Sequence, residues 1–186
     1  MAIDDLIQDA TRRMDKSVEA AQTEFATLRT GRASPALLDR LQIDYYGQKT
    51  PLKQLATIGA PESRLLTVQP FDPNSLQSIE RAIQESDLGL TPSNDGKLIR
   101  LPIPQLTEER RQELVKVVRG MAEDGRVAVR NVRRDVIHHL KELVDKGEVG
   151  KDEEHRAEER VQKLTDEHTK KIDDLLQRKE AEILEV

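Results

Sequence analysis

Apolar residues recur at intervals of three and four positions in three long segments of the chain, which is the spacing of one face of an α-helix. The first segment is residues 3–28, the second begins at Thr107 and ends near Lys146, and the third runs from about Asp152 to Leu184. Each predicted helix carries one narrow apolar stripe, and such a stripe is buried only against another helix. The pattern therefore predicts a three-helix bundle with short connections.

The members of each predicted stripe can be named. In the first helix they are Ile3, Ile7, Met14, Val18, Ala21, Phe25 and Leu28. In the second helix they are Leu114, Val118, Met121, Gly125, Ala128, Val132, Val136, Leu140 and Leu143. In the third helix they are Ala157, Val161, Leu164, His168, Ile172, Leu175 and Leu176. Because His168 falls within an apolar stripe, we expect a core histidine with its hydrogen bonds satisfied.

The segment between the first two helices has a different pattern. All eight prolines of the chain lie there. Leu41, Ile43 and Tyr45 alternate with polar residues, which is the period of a β-strand. Residues 65–71 and 97–103 are two further strand candidates, and residues 74–86 have helical spacing, with Asp72 or Asn74 as the cap.

The predicted fold class is α+β: an elongated three-helix bundle with an inserted small α/β, β-rich domain. Residues 1–30 and 104–186 form the bundle, and residues 31–103 form the insertion. Two chain connections join the two parts, at 30–32 and at 102–105, and together they predict a hinge. Its residues are Thr30, Gly31, Arg32, Pro102, Ile103, Pro104 and Gln105.

Composition excludes several classes of protein. The chain contains no cysteine, which leaves no disulfide framework, thiol nucleophile or thiolate zinc site. No apolar run approaches the ~18 residues of a membrane span, and the acidic start is not that of a secretory signal. We therefore expect a cytoplasmic protein. Only four of its 186 residues are aromatic, which argues against recognition of nucleic acid by stacking bases on rings.

The formal net charge is −5, and the charged residues are distributed unevenly along the chain. Residues 110–134 contain eight basic and three acidic side chains, whereas residues 31–103 contain eight of each. On a helical wheel Arg119, Arg126, Arg130 and Arg133 fall within an arc of about 60°, away from the predicted apolar stripe. Such an arginine face suits bidentate binding of phosphate. The alternative is that these arginines pair with carboxylates on their own helix or across the bundle.

Candidate catalytic groups do not form a constellation. The adjacent His138 and His139 point about 100° apart on a helix and cannot hold one metal together. The chain has no nucleophile elbow and no glycine-rich phosphate loop, and Asn94-Asp95-Gly96 is a turn signal. The residues therefore predict a binding protein that is not an enzyme and carries no cofactor or metal.

Several motifs closely resemble the bacterial ribosome recycling factor family over essentially the whole chain. They are Thr30-Gly31-Arg32-Ala33-Ser34-Pro35, Tyr45-Tyr46-Gly47, Thr50-Pro51-Leu52, Ser86-Asp87-Leu88-Gly89-Leu90, Leu106-Thr107-Glu108-Glu109-Arg110-Arg111, and Arg126-Val127-Ala128-Val129-Arg130-Asn131-Val132-Arg133-Arg134-Asp135. Gly125 stands where this family leads us to expect a small helix former such as alanine.

The resemblance implies an L-shaped, two-domain protein that acts with elongation factor G and GTP to split post-termination ribosomes into subunits. It implies that the bundle lies on large-subunit ribosomal RNA of the 70S ribosome and that the factor is a monomer. The RNA contacts it implies are Arg111, Arg130 and Arg133, supported by Arg32, Arg110, Arg126, Asn131 and Arg134.

Two other classes remain as alternatives. A helical scaffold or chaperone-like protein-interaction module would use its stripes against another chain and would form a dimer. A nuclease or deaminase acting on RNA is disfavoured, because the sequence lacks the metal and base constellations that such chemistry needs.

If the resemblance holds, the small domain is the lever that elongation factor G moves about the hinge.

Overall fold

The chain divides into two compact units in the computed structural model, which describes residues 3–185. One unit contains the chain up to Arg29 and from Glu108 onward, and the other is Thr30–Thr107. Residues 1, 2 and 186 of the predicted bundle lie outside the described residues.

The first unit consists of three long helices. They are α1 (Ile3–Ala26), α4 (Glu108–Asp145) and α5 (Lys151–Leu184). Arg13 on α1 pairs with Asp135 on α4, whereas Ala21 lies beside Gly125, so these two helices are antiparallel. The predicted bundle of three helices is confirmed.

Helix α4 packs against both other helices, and this changes its predicted stripe. The buried residues of α4 are Leu114, Val118, Ala122, Gly125, Val129, Val132, Val136, Leu140 and Leu143. Met121 and Ala128 were predicted in the stripe but are only partly buried. A helix between two neighbours buries a wider arc than a single seam, and the centre of that arc shifts toward Ala122 and Val129. On α5, Thr165 is buried and Leu164 only partly so.

Gly125 marks a close approach of all three helices. A Cβ atom at this position would lie 3.2 Å from Ile172 Cδ1 and 3.3 Å from Ala21 Cβ. The departure from the expected alanine therefore has a local reason, because a side chain here would crowd both α1 and α5.

The second unit contains two antiparallel sheets. Strands β1 (Gln42–Tyr45) and β2 (Gln48–Pro51) form a hairpin. The other sheet has the order β3-β4-β6-β5, from β3 (Ala56–Glu62), β4 (Leu65–Pro70), β5 (Ser93–Asn94) and β6 (Ile99–Pro102). Helices α2 (Leu52–Leu55) and α3 (Leu76–Glu85) complete the unit together with short 3₁₀ turns at Pro35–Leu38 and Pro73–Ser75.

Aliphatic side chains form the core of the second unit. Ile79 and Ile83 from α3 are fully buried together with Ile43 from β1 and Leu66 from β4. The helical spacing of residues 74–86 predicted this packing, and Asp72 accepts a hydrogen bond from the Asn74 N–H at the start of the 3₁₀ turn. Strand β3 was not predicted. Its Pro61 is unsuited to a central strand, but β3 lies at the edge of the sheet, where proline is tolerated.

The turn predicted at Asn94-Asp95-Gly96 is stabilised by hydrogen bonds from the backbone to the Asp95 carboxylate. Asp95 Oδ1 accepts hydrogen bonds from the backbone N–H groups of Lys97 (3.0 Å) and Leu98 (2.8 Å), while Gly96 has a φ of +91°.

Within residues 3–185, none of the helices is long and apolar enough to cross a membrane.

Candidate nucleic-acid interface

The arginines of α4 face α5 at regular intervals. Arg119 donates to Glu180 and Arg126 donates to Asp173, both at 2.7 Å. One further step of seven residues along α4, Arg133 donates to the side-chain oxygen of Gln162 at 3.0 Å. Part of the predicted arginine face therefore joins two helices, as the alternative of pairing across the bundle anticipated.

Arg126 is a partly buried member of this face. Its side chain is only 21% exposed, and it donates to Glu123 at 3.1 Å as well as to Asp173. Partial burial alone would lower the pKa of Arg126, but the hydrogen bonds and charges of these two carboxylates outweigh burial, so the pKa is raised. The wheel placed Arg126 clear of the stripe but could not show that α5 covers that flank. Arg126 is a partly buried link between α4 and α5.

Glu123 accepts hydrogen bonds from two arginines at once. Its second carboxylate oxygen lies 2.6 Å from Nη2 of Arg130. The hydrogen bond from Arg130 and then that from Arg126 lower the pKa of Glu123. Arg130 is 42% exposed, so its guanidinium is accessible but already holds one anion.

The cationic patch, by which we mean Arg130, Asn131, Arg133 and Arg134, is one accessible part of the surface of α4. Arg133 is bonded to a neutral amide and forms no ion pair with any of residues 3–185. Arg134 is exposed and makes no ion pair with any of residues 3–185. Asp135 follows directly but pairs with Arg13 of α1 at 2.7 Å.

The other predicted RNA-binding residues lie outside this patch. Arg110 is exposed near the start of α4 and pairs with Glu113 at 2.9 Å. Arg111 is only 12% exposed, with Glu108 3.8 Å away. Arg32 is exposed and belongs to the second unit, in the loop before Pro35.

The histidines do not supply a metal site. His138 and His155 each lie 3.3 Å from a glutamate one turn along their own helix. Among residues 3–185, no group of three or more histidine, aspartate or glutamate side chains is placed to hold a metal ion.

The sequence did not predict the hydrogen-bond partners of the α4 arginines on α5, which are Asp173, Glu180 and Gln162. These residues lie far from the arginines along the chain.

These features define a helical-bundle protein with an inserted sheet domain and a basic patch on its central helix. The ribosome recycling factor family model matches residues 21–184. The chain is also 60% identical over 180 residues to a ribosome-recycling factor from Rubrobacter xylanophilus, covering 97% of both chains. It is 56% identical to the factor from Halalkalibacterium halodurans, covering 98% of both. The chain belongs to the ribosome recycling factor family, whose members are non-enzymatic translation factors.

Two solved structures are similar over the full chain. The solution structure of a ribosome recycling factor matches with a TM-score of 0.80 and 44% identity, covering 100% of this chain and 99% of that one. A second, with a TM-score of 0.68 and 49% identity, covers 100% of both chains. It describes models of the T. thermophilus ribosome recycling factor and the E. coli elongation factor G bound to the E. coli post-termination complex.

Proposed function

We propose that this chain, with elongation factor G and GTP, splits post-termination 70S ribosomes into subunits for reuse. It acts as a monomer in the cytoplasm, attaches to large-subunit ribosomal RNA through α4, and hydrolyses nothing itself. The observation that carries the proposal is the full-length similarity to a recycling factor described together with elongation factor G on a post-termination complex.

The cationic patch supports attachment to RNA through phosphate groups. Arg133 and Arg134 lack carboxylate partners among residues 3–185, and Asn131, which follows Arg130, is exposed. Guanidinium groups bind phosphate oxygens in pairs of hydrogen bonds. Contacts of this kind release counterions, so binding weakens steeply as salt rises.

Arg130 takes part in the same attachment by exchanging one anion for another. In the free protein it is hydrogen-bonded to Glu123, which also holds Arg126. The pair is exposed, and exposed ion pairs contribute little to stability because water screens them. A phosphate can therefore replace Glu123 at Arg130 at little cost, while Arg126 stays bound to Asp173.

The two connections between the units support a hinge at 30–32 and 102–105. They run side by side within the second unit: Gly31 lies against Leu106, and its φ is +75°. The Ala33 N–H donates to the Ser63 carbonyl and the Ile103 N–H donates to the Arg64 carbonyl, at 2.7 and 2.9 Å. Two adjacent connections permit rotation of the inserted domain, so elongation factor G can use that domain as a lever.

Co-sedimentation with 70S ribosomes at two salt concentrations tests the attachment. Replacing Arg130 and Arg133 by alanine should weaken binding and lower the slope of log K against log salt by about 1.5, since each lost phosphate contact removes about 0.7–0.9. The matched control replaces Arg12 and Arg156, two exposed arginines outside the patch, by alanine. Equal affinity of the patch variant and the wild type at both salt concentrations would refute attachment through the patch.

A splitting assay with elongation factor G and GTP tests the lever. Since the chain has no cysteine, two introduced cysteines can cross-link the units specifically. The cross-linked protein should bind ribosomes but not split them, and reduction should restore splitting. Splitting by the cross-linked protein would show that the lever is wrong.

The scaffold or chaperone-like alternative is less well supported. It needs apolar stripes available to another chain, whereas the stripe residues Met14, Val118, Leu140, Val161 and Ile172 are completely or almost completely buried within the bundle. Sedimentation of the isolated protein distinguishes the two, since the alternative predicts a dimer.

A further inference from the structure

Two ion pairs between an arginine of α4 and a carboxylate of α5 follow one register. They are Arg119 with Glu180 and Arg126 with Asp173. A step of seven residues up α4 thus matches a step of seven residues down α5, and seven residues are about two turns of an α-helix. The next step along both helices brings Arg133 level with Asp166. The register therefore predicts a third ion pair of the same kind.

Gln162 stands between the two charged groups of this third step. Its Oε1 accepts a hydrogen bond from Nη1 of Arg133 at 3.0 Å, and its Nε2 donates to Oδ1 of Asp166 at 2.9 Å. Neither Arg133 nor Asp166 forms an ion pair with any of residues 3–185. A neutral amide thus occupies the place where the first two steps have a carboxylate.

The two hydrogen bonds of Gln162 leave its amide only one orientation. A carboxylate accepts hydrogen bonds and donates none, so the amide NH₂ group faces Asp166 and the amide oxygen faces Arg133. Asp166 lies one turn along the same helix and therefore orients the amide. The amide oxygen in turn fixes the guanidinium of Arg133, which is planar and rigid.

The contact with Gln162 leaves most of the Arg133 guanidinium available. This group has five N–H donors, and the contact uses Nη1 alone. Nε and Nη2 remain for the paired hydrogen bonds that a phosphate accepts. Arg126 provides the contrast, because its Nε and its Nη1 both donate to carboxylates.

We propose that Gln162 is a positioning residue for attachment to RNA: it keeps Arg133 from pairing with Asp166 and presents Nε and Nη2 of Arg133 to a phosphate group. This inference rests on the proposed function, in which Arg133 binds ribosomal RNA. It deepens that function by distinguishing two arginines of one face. Arg126 is a link between two helices, whereas Arg133 is held ready for a ligand.

A cycle of substitutions at Gln162 and Asp166 tests this role. Without the amide, in Gln162→Ala, Arg133 can pair with Asp166. Binding to 70S ribosomes should then weaken about fivefold, the upper end of what an exposed ion pair contributes. Adding Asp166→Asn to this variant removes the competing carboxylate and should recover most of the loss. In the wild-type background, Asp166→Asn should change binding by no more than about twofold.

Binding is measured by co-sedimentation at one fixed salt concentration, since affinity depends steeply on salt. A general effect of removing one negative charge would be equal in both backgrounds, so the cycle isolates the effect of Gln162. Gln177→Ala is the matched control, because Gln177 is also an exposed glutamine of α5 but takes no part in these hydrogen bonds. All three replaced side chains are exposed, so thermal unfolding should change little.

Equal binding of Gln162→Ala and the wild type would overturn the proposal, and so would an equal effect of Asp166→Asn in both backgrounds. A lower melting temperature of Gln162→Ala without coupling to Asp166 would show that Gln162 only links the helices.

Arg133→Ala distinguishes this failure from failure of the proposed function. If Arg133→Ala binds ribosomes like the wild type, attachment through Arg133 is wrong and the role of Gln162 is wrong with it. If Arg133→Ala binds more weakly but Gln162→Ala does not, only the role of Gln162 is wrong.

Discussion

The Nε2 atom of His168 lies 2.6 Å from Oδ1 of Asp15, which links the third helix of the bundle to the first. The other ring nitrogen lies 2.7 Å from the Leu164 carbonyl oxygen, so both nitrogens of this buried ring have partners. His168 is 2% exposed, while Asp15 stands at the surface. His168 is the satisfied core histidine that its position in the stripe predicted.

Replacing His168 by alanine should destabilise the bundle by about 2–4 kcal/mol, because the change leaves a cavity and removes hydrogen bonds. Denaturant unfolding followed by circular dichroism measures the loss. The control is His155→Ala on the same helix, whose ring is 74% exposed and whose removal should change the free energy of unfolding little. Equal effects at the two positions would contradict a structural role for the pair with Asp15.

The two glycines within α4 should respond differently to alanine. Gly120 is exposed, and a Cβ atom added there would have no atom within 4 Å apart from its neighbours and the backbone of its own helix, so Gly120→Ala should stabilise the protein by about 1 kcal/mol through helix propensity. At Gly125 the same gain is offset by contacts of 3.2 Å with Ile172 and 3.3 Å with Ala21. Gly125→Ala should therefore stabilise less than Gly120→Ala.

Thermal unfolding of the two variants measures this difference, and Gly125→Leu extends it. A leucine at this approach of three helices should destabilise by several kcal/mol, as overpacked core positions do. If Gly125→Ala stabilised the protein as much as Gly120→Ala, the close approach would have no energetic consequence.

Replacing Arg126 should affect the stability of the fold, whereas replacing Arg134 should affect attachment to the ribosome. Arg126→Ala breaks hydrogen bonds to Asp173 and Glu123 in a partly buried site and should destabilise the bundle by about 1–2 kcal/mol. Arg134→Ala removes an exposed charge without a carboxylate partner among residues 3–185, so it should leave stability unchanged and weaken salt-dependent ribosome binding. Chemical unfolding and co-sedimentation provide the two measurements. The reverse pattern would show that the assignment of the two arginines is wrong.

The turn at Asp95 should make stability depend on acid pH. Hydrogen bonds from the backbone N–H of Leu98 and of Lys97, and then the side chain of Arg100, lower the pKa of Asp95. A carboxylate with a lowered pKa in the folded state stabilises it above the unfolded pKa, and this contribution is lost as pH falls through the folded pKa. At neutral pH, Asp95→Asn should therefore be less stable than the wild type, and the difference should shrink as pH falls below about 4, the usual pKa of an aspartate.

Asp95→Ala provides the contrast, since alanine removes the hydrogen-bond acceptor as well as the charge. Its lower melting temperature should persist in acid, where a protonated aspartic acid and an asparagine still accept one hydrogen bond. A difference between wild type and Asp95→Asn that did not vary with pH would argue against a role for the charge.

The sequence patterns predicted the helices and strands of this fold better than they predicted which segments and side chains lie next to one another in space. The three helices follow from apolar residues spaced three and four apart, because that information lies within each segment. Strand β3 was missed because Gly59 and Pro61 are poor strand formers, and only its place at a sheet edge accommodates them.

The candidate site shows the same limit. Residue types and spacing identified the arginines of α4, but Asp173 lies 47 residues from Arg126 along the chain, and only the packing of α5 brings the two together. This link leaves only 21% of the Arg126 side chain exposed.

Glu123 should act as a competitor of RNA for Arg130. In the free protein its carboxylate holds Arg130 at 2.6 Å, so attachment to phosphate requires that this pair separate. Replacing Glu123 by glutamine removes the competing charge but keeps a side chain of the same size. Ribosome binding should then tighten by up to about fivefold, a small factor because exposed ion pairs are weak.

Asp124→Asn is the matched control, because Asp124 is also exposed on α4 but forms no ion pair with any of residues 3–185. Both variants change the net charge equally, so a general electrostatic effect would tighten binding in both. Tightening confined to Glu123→Gln, measured by co-sedimentation at two salt concentrations and lost when Arg130 is also replaced by alanine, is the result expected for direct competition. Equal tightening in both single variants would leave Arg130 with no specific role, and attachment would then depend on Arg133 and Arg134.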